Sequence, residues 1–325
     1  MELLNNIKTN ASKLGKTIIL AEPDDIRMLL AANALVKEKI CKVLLPGNPD
    51  IIKLIAQKND LTLEDSITII DPDSDSRHQS FTDWFYEKRK AKGMTIEMAN
   101  ELMKQPLYFA SAMVAHGFAD GCVAGAVNTT GDVLKAAFQI IGMKPDSSVV
   151  SSVFLMSLPD GRTFTYGDCA VVPYPDQAQL ASIAIDSADT HFRLTGEVPK
   201  VAMLSFSSKG SAIHPNVQLV ISALELARKN QPNLLIDGEL QFDAAFLSDI
   251  GQRKAPGSPV AGKANVYIFP NLDAGNIAYK ITERLGNAVA TGPIIQGLNR
   301  PMNDLSRGCS WEDIVNTAAV TCLQS

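Results

Sequence analysis

The chain has 325 residues, 46% hydrophobic and 20% charged, enough for one large or two ordinary globular domains and too apolar for a disordered chain. Its formal net charge of −5 and pI near 5.5 exclude a general nucleic-acid or membrane-surface binder, which needs a basic excess. A few local Lys or Arg side chains can still hold an anionic small substrate.

The opening stretch MELLNNIKTNASKLGKT lacks the charged-then-apolar order of a secretory signal. No apolar run reaches the ~18–20 residues of a membrane span. Gly15-Lys16-Thr17 resembles the end of a phosphate-binding loop, but that motif needs a glycine where Asn10 stands, and the triplet precedes a strand instead of a helix. Short, nearly continuous apolar runs predict strands at 17–21, 42–46, 67–71, 121–127, 200–206, 234–237, 266–269 and 289–295. Helical spacing appears between them: Met28, Ala31, Ala32 and Leu35 in 27–38; Val217, Val220, Ile221 and Leu224 in 216–229; Trp311, Ile314, Val315, Ala318 and Cys322 in 311–322. This alternation predicts an α/β fold with doubly wound, mostly parallel sheets. One stretch departs from it. Runs 148–158 and 163–172 flank Pro159-Asp160-Gly161-Arg162, a hairpin signal that suggests an antiparallel element where a second domain begins.

No dinucleotide fingerprint follows the first strand. His78, His116, His191 and His214 are scattered, which disfavours histidine catalysis and a zinc site. The five cysteines, Cys41, Cys122, Cys169, Cys309 and Cys322, are odd in number and widely spaced, as in a reduced cytoplasmic protein.

Three strand-to-helix junctions carry candidate chemistry. At Asn128-Thr129-Thr130-Gly131, free backbone donors and hydroxyls at a helix start make an anion site, or a threonine simply caps the helix. Ser205, Ser207, Ser208, Lys209, Gly210 and Ser211 follow the strand at 200–206, as a ligand crevice or as an ordinary polar loop. The third junction runs from the strand at 289–295 through a Gly/Pro/Asn-rich loop to Ser306-Arg307-Gly308 and the helix from Trp311. Ser310 with Asp313 reads as a capping box with Asp in place of Glu. The same helix entrance nevertheless collects a hydroxyl, a guanidinium and a carboxylate, and Arg can grip a phosphate with two parallel bonds. Lys263 and Lys280 are two further cations in Gly-rich or helix-starting contexts, either surface lysines or, with Arg307, part of an anion site.

The runs VAGAVNTTGDVLKAAFQIIGMKP, MLSFSSKGSA, DGELQFDAA, GSPVAGKANVYIFPNLDAGNIAYK and GPIIQGLNRPMNDLSRGCSWEDIVN, with AEPDDIRMLLAA and EKRKAKGMT nearer the start, closely resemble the phosphate acetyltransferase (phosphotransacetylase) family in its short, single-function form. The resemblance implies reversible acetyl transfer, acetyl-CoA + phosphate ⇌ acetyl phosphate + CoA. It implies two α/β domains like those of isocitrate and isopropylmalate dehydrogenases, with the active site in the interdomain cleft, and a homodimer. The expected domains are 1–143 plus 296–325, and 144–295. The family's catalytic residues map onto Ser306, Arg307 and Asp313, and its CoA-binding arginine onto Arg89, among Lys88, Lys90 and Lys92. One departure is Glu22-Pro23-Asp24, where the family often has a PEG-like triplet.

The roles expected on chemical grounds are Asp313 as base for the CoA thiol, Ser306 as hydrogen-bond donor to the carbonyl oxygen that gains charge, and Arg307 as phosphate clamp. Asn128, Thr129, Thr130, Ser207, Lys263 and Lys280 would help hold phosphate. Direct thiolate attack in a ternary complex needs neither a metal nor a redox cofactor. Cys309 reads as a packing residue, not an acyl-enzyme nucleophile. The alternatives are a butyryl-phosphate acyltransferase, a metal- and NAD-dependent dehydrogenase of the same architecture, and a non-catalytic binding protein.

Overall fold

Eleven strands occur in the computed structural model, which describes residues 2–325: β1 (Thr17–Leu20), β2 (Lys42–Pro46), β3 (Thr68–Ile70), β4 (Gly121–Ala124), β5 (Ser151–Ser157), β6 (Thr163–Gly167), β7 (Lys200–Leu204), β8 (Leu235–Leu240), β9 (Val266–Ile268), β10 (Val289–Gln296) and β11 (Met302–Asp304). They are shared between two units, Leu3–Gly142 with Leu298–Ser325, and Met143–Gly297.

The first unit has a five-stranded parallel sheet in the order β11-β4-β1-β2-β3. Ile18, Ile19 and Leu20 of β1 and Cys122, Val123 and Ala124 of β4 are fully buried, which is why these strands read as continuous apolar runs. Helix Pro106–Ala115 packs on β2 and β4, and it is buried nearly all round, from Leu107 to Val114. Helix Ile26–Lys37 buries Met28, Leu29, Ala31, Ala32 and Leu35. It packs against helix Trp311–Gln324, whose Ile314, Val315, Ala318 and Cys322 form the matching apolar stripe.

The second unit has a six-stranded sheet in the order β10-β5-β6-β9-β7-β8. The antiparallel element lies here: β5 and β6 form the hairpin across Asp160-Gly161, and β10 adds antiparallel to β5. The β6-β9-β7-β8 pairings are parallel. One core cluster gathers Phe154, Met156, Phe164, Tyr166 and Tyr267. The other gathers Leu180, Ile183, Val201, Met203 and Val220, supplied in part by helices Gln177–Thr195 and Pro215–Asn230.

Among the departures from the sequence expectation, three have a plain physical cause. The run 121–127 stops at Ala124, because Gly125 adopts φ +105, where a side chain is strained. A Cβ on Gly125 would also lie 2.3 Å from Asp304 Oδ1 and 2.6 Å from the Leu305 nitrogen. The run 163–172 stops at Gly167, after which the buried Asp168 carboxylate accepts the amides of Ala170, Val171 and Val172 and curls the chain. Finally, the strand entering the Ser306 loop is β11, while the run at 289–295 lies in β10 of the other sheet. Met302, Asn303 and Asp304 make no apolar run, yet all three are buried. Asn303 tolerates burial because its amide donates to Thr321 Oγ1 at 2.9 Å and Gln324 Oε1 at 2.7 Å. Among the described residues, no helix is long and apolar enough to cross a membrane.

Candidate active site

Ser306, Arg307 and Asp313 stand together at the carboxyl end of β11, where the chain turns into helix Trp311–Gln324. The capping box is complete: Asp313 N donates to Ser310 Oγ at 3.2 Å, and Ser310 N donates to Asp313 Oδ2 at 2.9 Å. Ser306 and Arg307 are exposed. Ser306 Oγ accepts a 3.3 Å bond from Gly308 N, and its own hydrogen has no acceptor among the described residues. The Arg307 guanidinium makes no ion pair among the described residues, while its carbonyl is held from outside the loop. The Cys309 thiol is buried, and that burial raises its pKa, so it carries little of the thiolate a nucleophile needs.

Arg27 holds this loop. It stands in the first turn of helix Ile26–Lys37, where the N-cap residue Asp25 accepts its amide at 2.8 Å. Nε and Nη2 donate to the two Asp25 oxygens at 2.9 and 2.7 Å. Nη1 donates to the carbonyls of Arg307 and Cys309 at 2.8 and 2.9 Å, and Nη2 to the carbonyl of Ala126 at 2.8 Å. The fork of the bidentate pair keeps Asp25 below the usual carboxylate range and raises the Arg27 pKa.

The junction after β4 is organised by a carboxylate. Glu22, 5% exposed, accepts the amides of Ala126, Val127 and Asn128 at 2.7, 3.2 and 2.7 Å and the Asn128 side-chain amide at 2.8 Å. Thr129 is the N-cap of the next helix, and its hydroxyl bonds both the amide and the carboxylate of Asp132. Thr130 Oγ1 donates to Asp304 Oδ2 at 2.6 Å. Glu22 thus takes the amides of 126–128, and both threonine hydroxyls bond within the scaffold. Asp304 itself is 4% exposed, and its Oδ1 has no hydrogen-bond partner among the described residues. Burial raises its pKa to about 6.

Arg89 lines a cavity of about 450 Å³ within the first unit. Lys92 and Lys135 are the other cations around it, and Met94, Met98, Leu102 and Tyr108 supply apolar wall. The one carboxylate in the lining, Glu101, is already paired with Lys104 at 2.7 Å. Arg89 Nε is buried without a partner among the described residues. Lys88 turns away from the cavity, donating to the Ile140 carbonyl at 2.5 Å with its ammonium 4.7 Å from the centre of the Trp84 ring.

The sequence model of a family described as phosphate acetyl/butaryl transferase matches residues 2–322. The chain belongs to that family. The phosphate acetyltransferase of Acetivibrio thermocellus is 49% identical across 100% of this chain and 98% of its own length. That of Thermoanaerobacterium thermosaccharolyticum is 46% identical across the whole of both chains. Among solved structures, the EutD phosphotransacetylase from Staphylococcus aureus superposes with a TM-score of 0.93 at 42% identity, covering 99% of this chain and 98% of that one. A 4-hydroxythreonine-4-phosphate dehydrogenase from Klebsiella pneumoniae, at 11% identity and a TM-score of 0.55 over 95% of this chain and 98% of its own, shares the fold alone. As a phosphate acetyl/butaryl transferase family member, the chain is an acyltransferase.

The remaining predicted residues of this acyltransferase lie in the second unit. Ser207 is fully buried; its hydroxyl donates to Glu239 Oε1 at 2.8 Å and accepts from the Ala212 amide at 3.1 Å. Ser211 Oγ also lies 3.3 Å from the same hydroxyl. Lys280 is exposed, with Nζ donating to Asn276 Oδ1 at 2.8 Å one helical turn away. Lys263 is exposed, and no ion pair holds it among the described residues. Sequence reasoning missed Glu22, Arg27, Lys135 and Asp304. All four lie in or beside runs that carry the family resemblance, but nothing in their local spacing marks a role.

Proposed function

We propose that this chain transfers an acetyl group reversibly between CoA and phosphate, by direct attack of the CoA thiolate on acetyl phosphate. The observation that carries the reading is the helix entrance itself: a clamped loop exposes the Ser306 hydroxyl and an Arg307 guanidinium with no ion pair among the described residues, just ahead of the helix whose first turn carries the Asp313 carboxylate. The free thiol has a pKa of about 8.5 and is mostly protonated at neutral pH, so a base is useful. Asp313 takes the thiol proton. The sulfur then bonds to the acetyl carbon as the bond from that carbon to the phosphate oxygen breaks, and phosphate leaves on Arg307. Ser306 donates to the carbonyl oxygen as it gains charge. Acetyl-CoA and phosphate react by the reverse path, and no cofactor enters beyond these substrates.

The cavity at Arg89 suits the phosphates of CoA. Its three cations, Arg89, Lys92 and Lys135, stand beside apolar walls, and the buried Arg89 Nε–H has no acceptor among the described residues. Asn128, Thr129, Thr130, Ser207, Lys263 and Lys280 are kept as phosphate-holding candidates, the first three at a helix start and the two lysines as exposed cations.

We also read the working form as a homodimer. Ile277, Ile281 and Leu285 recur every four residues along helix Leu272–Leu285 and are 57%, 52% and 81% exposed, a stripe that a second copy would cover. Light scattering should give a dimer, and Ile281→Lys a monomer; a monomeric parent chain would end this reading. A cytoplasmic location fits the five free cysteines and the CoA substrate.

The decisive experiment is thiol release from acetyl-CoA on addition of phosphate, run beside butyryl-CoA. Turnover with acetyl-CoA that depends on phosphate and drops strongly in Arg307→Ala supports the reading. No release, or release independent of phosphate, overturns it.

A further inference from the structure

We propose that Arg27 is a positioning residue for acyl transfer: it locks the backbone of 307–309 against the turn at Ala126 and so sets where Ser306 and Arg307 present their side chains. The inference rests on the function proposed above and adds a residue to it. A guanidinium has five N–H donors in a rigid planar fork. Here all five are used: one on Asp25 Oδ1, one on Asp25 Oδ2, and three on the carbonyls of Ala126, Arg307 and Cys309, at 2.7–2.9 Å. Two of those carbonyls flank Gly308, in the loop that carries the reacting groups, and the third belongs to the chain leaving β4.

Arg27 therefore joins three segments that are far apart in sequence. The other restraints on residues 306–310 are local: Ser306 to Gly308 at 3.3 Å, Ser306 to Cys309 at 2.9 Å, and the Ser310 cap. Both short loop bonds lie within residues 306–309 and cannot anchor them to the sheet. Leu305 N on the Ala124 carbonyl at 2.8 Å anchors the loop's start, and Arg27 anchors its far half. Asp25 matters through Arg27: it fixes the fork's plane and neutralises it, so the cation is held as scaffold and is not offered to substrate.

A misplacement of about 1 Å in a reacting group can cost about 10²-fold in rate. Arg27→Met should therefore lower kcat by about 10²-fold while leaving KM for CoA within a few-fold, because the Arg89 cavity shares no residue with the loop. Arg27→Lys, with three donors on a flexible stem, should fall between Arg27→Met and the parent. The closing experiment is a double-mutant cycle of Arg27→Met with Arg307→Ala, read as kcat, alongside hydrogen exchange of the 305–310 segment. If Arg27 works through the loop, the double variant is hardly slower than Arg307→Ala alone, and exchange of 305–310 quickens in Arg27→Met. Full multiplication of the two effects, or wild-type kcat in Arg27→Met beside a crippled Arg307→Ala, overturns the inference and leaves the proposed function standing. Full activity in Arg307→Ala overturns that function, and this inference with it. Should Arg27→Met fail to fold, Arg27→Lys and Asp25→Asn carry the same cycle: a kcat loss that does not multiply with that of Arg307→Ala supports positioning, and a loss that multiplies in full refutes it.

Discussion

Asp313 holds two positions at once, and the variant Asp313→Asn separates them. As the third residue of its helix it accepts the Ser310 amide at 2.9 Å. An Asn oxygen can accept the same bond, so the substitution removes only the favourable charge at the helix start, about 0.3–1 kcal/mol. That corresponds to at most about 4 °C in melting temperature for a domain of this size. A base for the thiol contributes on a different scale, typically ~10²–10⁴-fold, or about 2.7–5.4 kcal/mol of barrier. The expected result is a kcat lowered by at least about 10²-fold in a protein that melts within a few degrees of the parent. Thioester formation from acetyl phosphate and CoA, followed from pH 7 to 9, adds a sharper readout. At pH 7 only about 3% of a thiol with pKa about 8.5 is ionised, and at pH 9 about three quarters is. The variant should recover rate with rising pH as CoA arrives already deprotonated, and its deficit should shrink by roughly an order of magnitude or more. A kcat within about fivefold of the parent, or a deficit constant across this range, would refute the general-base role and leave Asp313 a cap.

Three other substitutions test the scaffold. Glu22→Gln replaces an acceptor-only carboxylate that receives four N–H bonds by a group that itself donates, and should cost about 2–4 kcal/mol in urea unfolding; an unchanged midpoint would show that the 126–128 turn does not depend on it. Asp304 has a folded pKa raised by burial to about 6 from 3.8, so the folded state keeps a proton that the unfolded chain releases, and stability is lost as pH rises between these values. Asp304→Asn escapes that loss: its stability should gain on the parent by up to about 3 kcal/mol from below pH 4 to pH 7, and a difference that does not vary with pH would sink the assignment. Cys309→Ala should keep kcat within a few-fold, since its thiol is buried and its pKa raised; a loss beyond about 10²-fold would revive a covalent acyl-enzyme.

Much of the architecture was legible because burial on both faces writes itself as apolar runs. β1, β4, β7 and β9 are strands of that kind, and the Asp160-Gly161 hairpin announced itself by turn chemistry. The capping box at Ser310 and Asp313 was legible for a similar reason, since both partners are three residues apart and the interaction is local. β11 was not legible. Its Met-Asn-Asp is buried by partners that come from elsewhere in the chain: Thr321, Gln324 and Thr130. A three-residue polar strand leaves no periodic signal.

The same distinction applies at Ala126–Asn128. A sequence displays donors, and a helix start rich in amides and hydroxyls reads as an anion site whichever anion fills it. For the amides of 126–128 the acceptor is Glu22, about a hundred residues away and itself in the run AEPDDIRMLLAA. That run also contains Asp25 and Arg27. One short stretch after β1 thus supplies the carboxylate that shapes the turn after β4 and the guanidinium that joins that turn to the loop after β11. Glu22 binds amides and Arg27 binds carbonyls, so the two charges sort the backbone groups of the 126–128 turn by sign, with Ala126 gripped at both its nitrogen and its oxygen. Exchanging either charge for a neutral group should therefore loosen the same turn. Ser306 and Arg307 can be exposed, with no ion pair on Arg307 among the described residues, because their backbone is held by residues that never need to touch substrate.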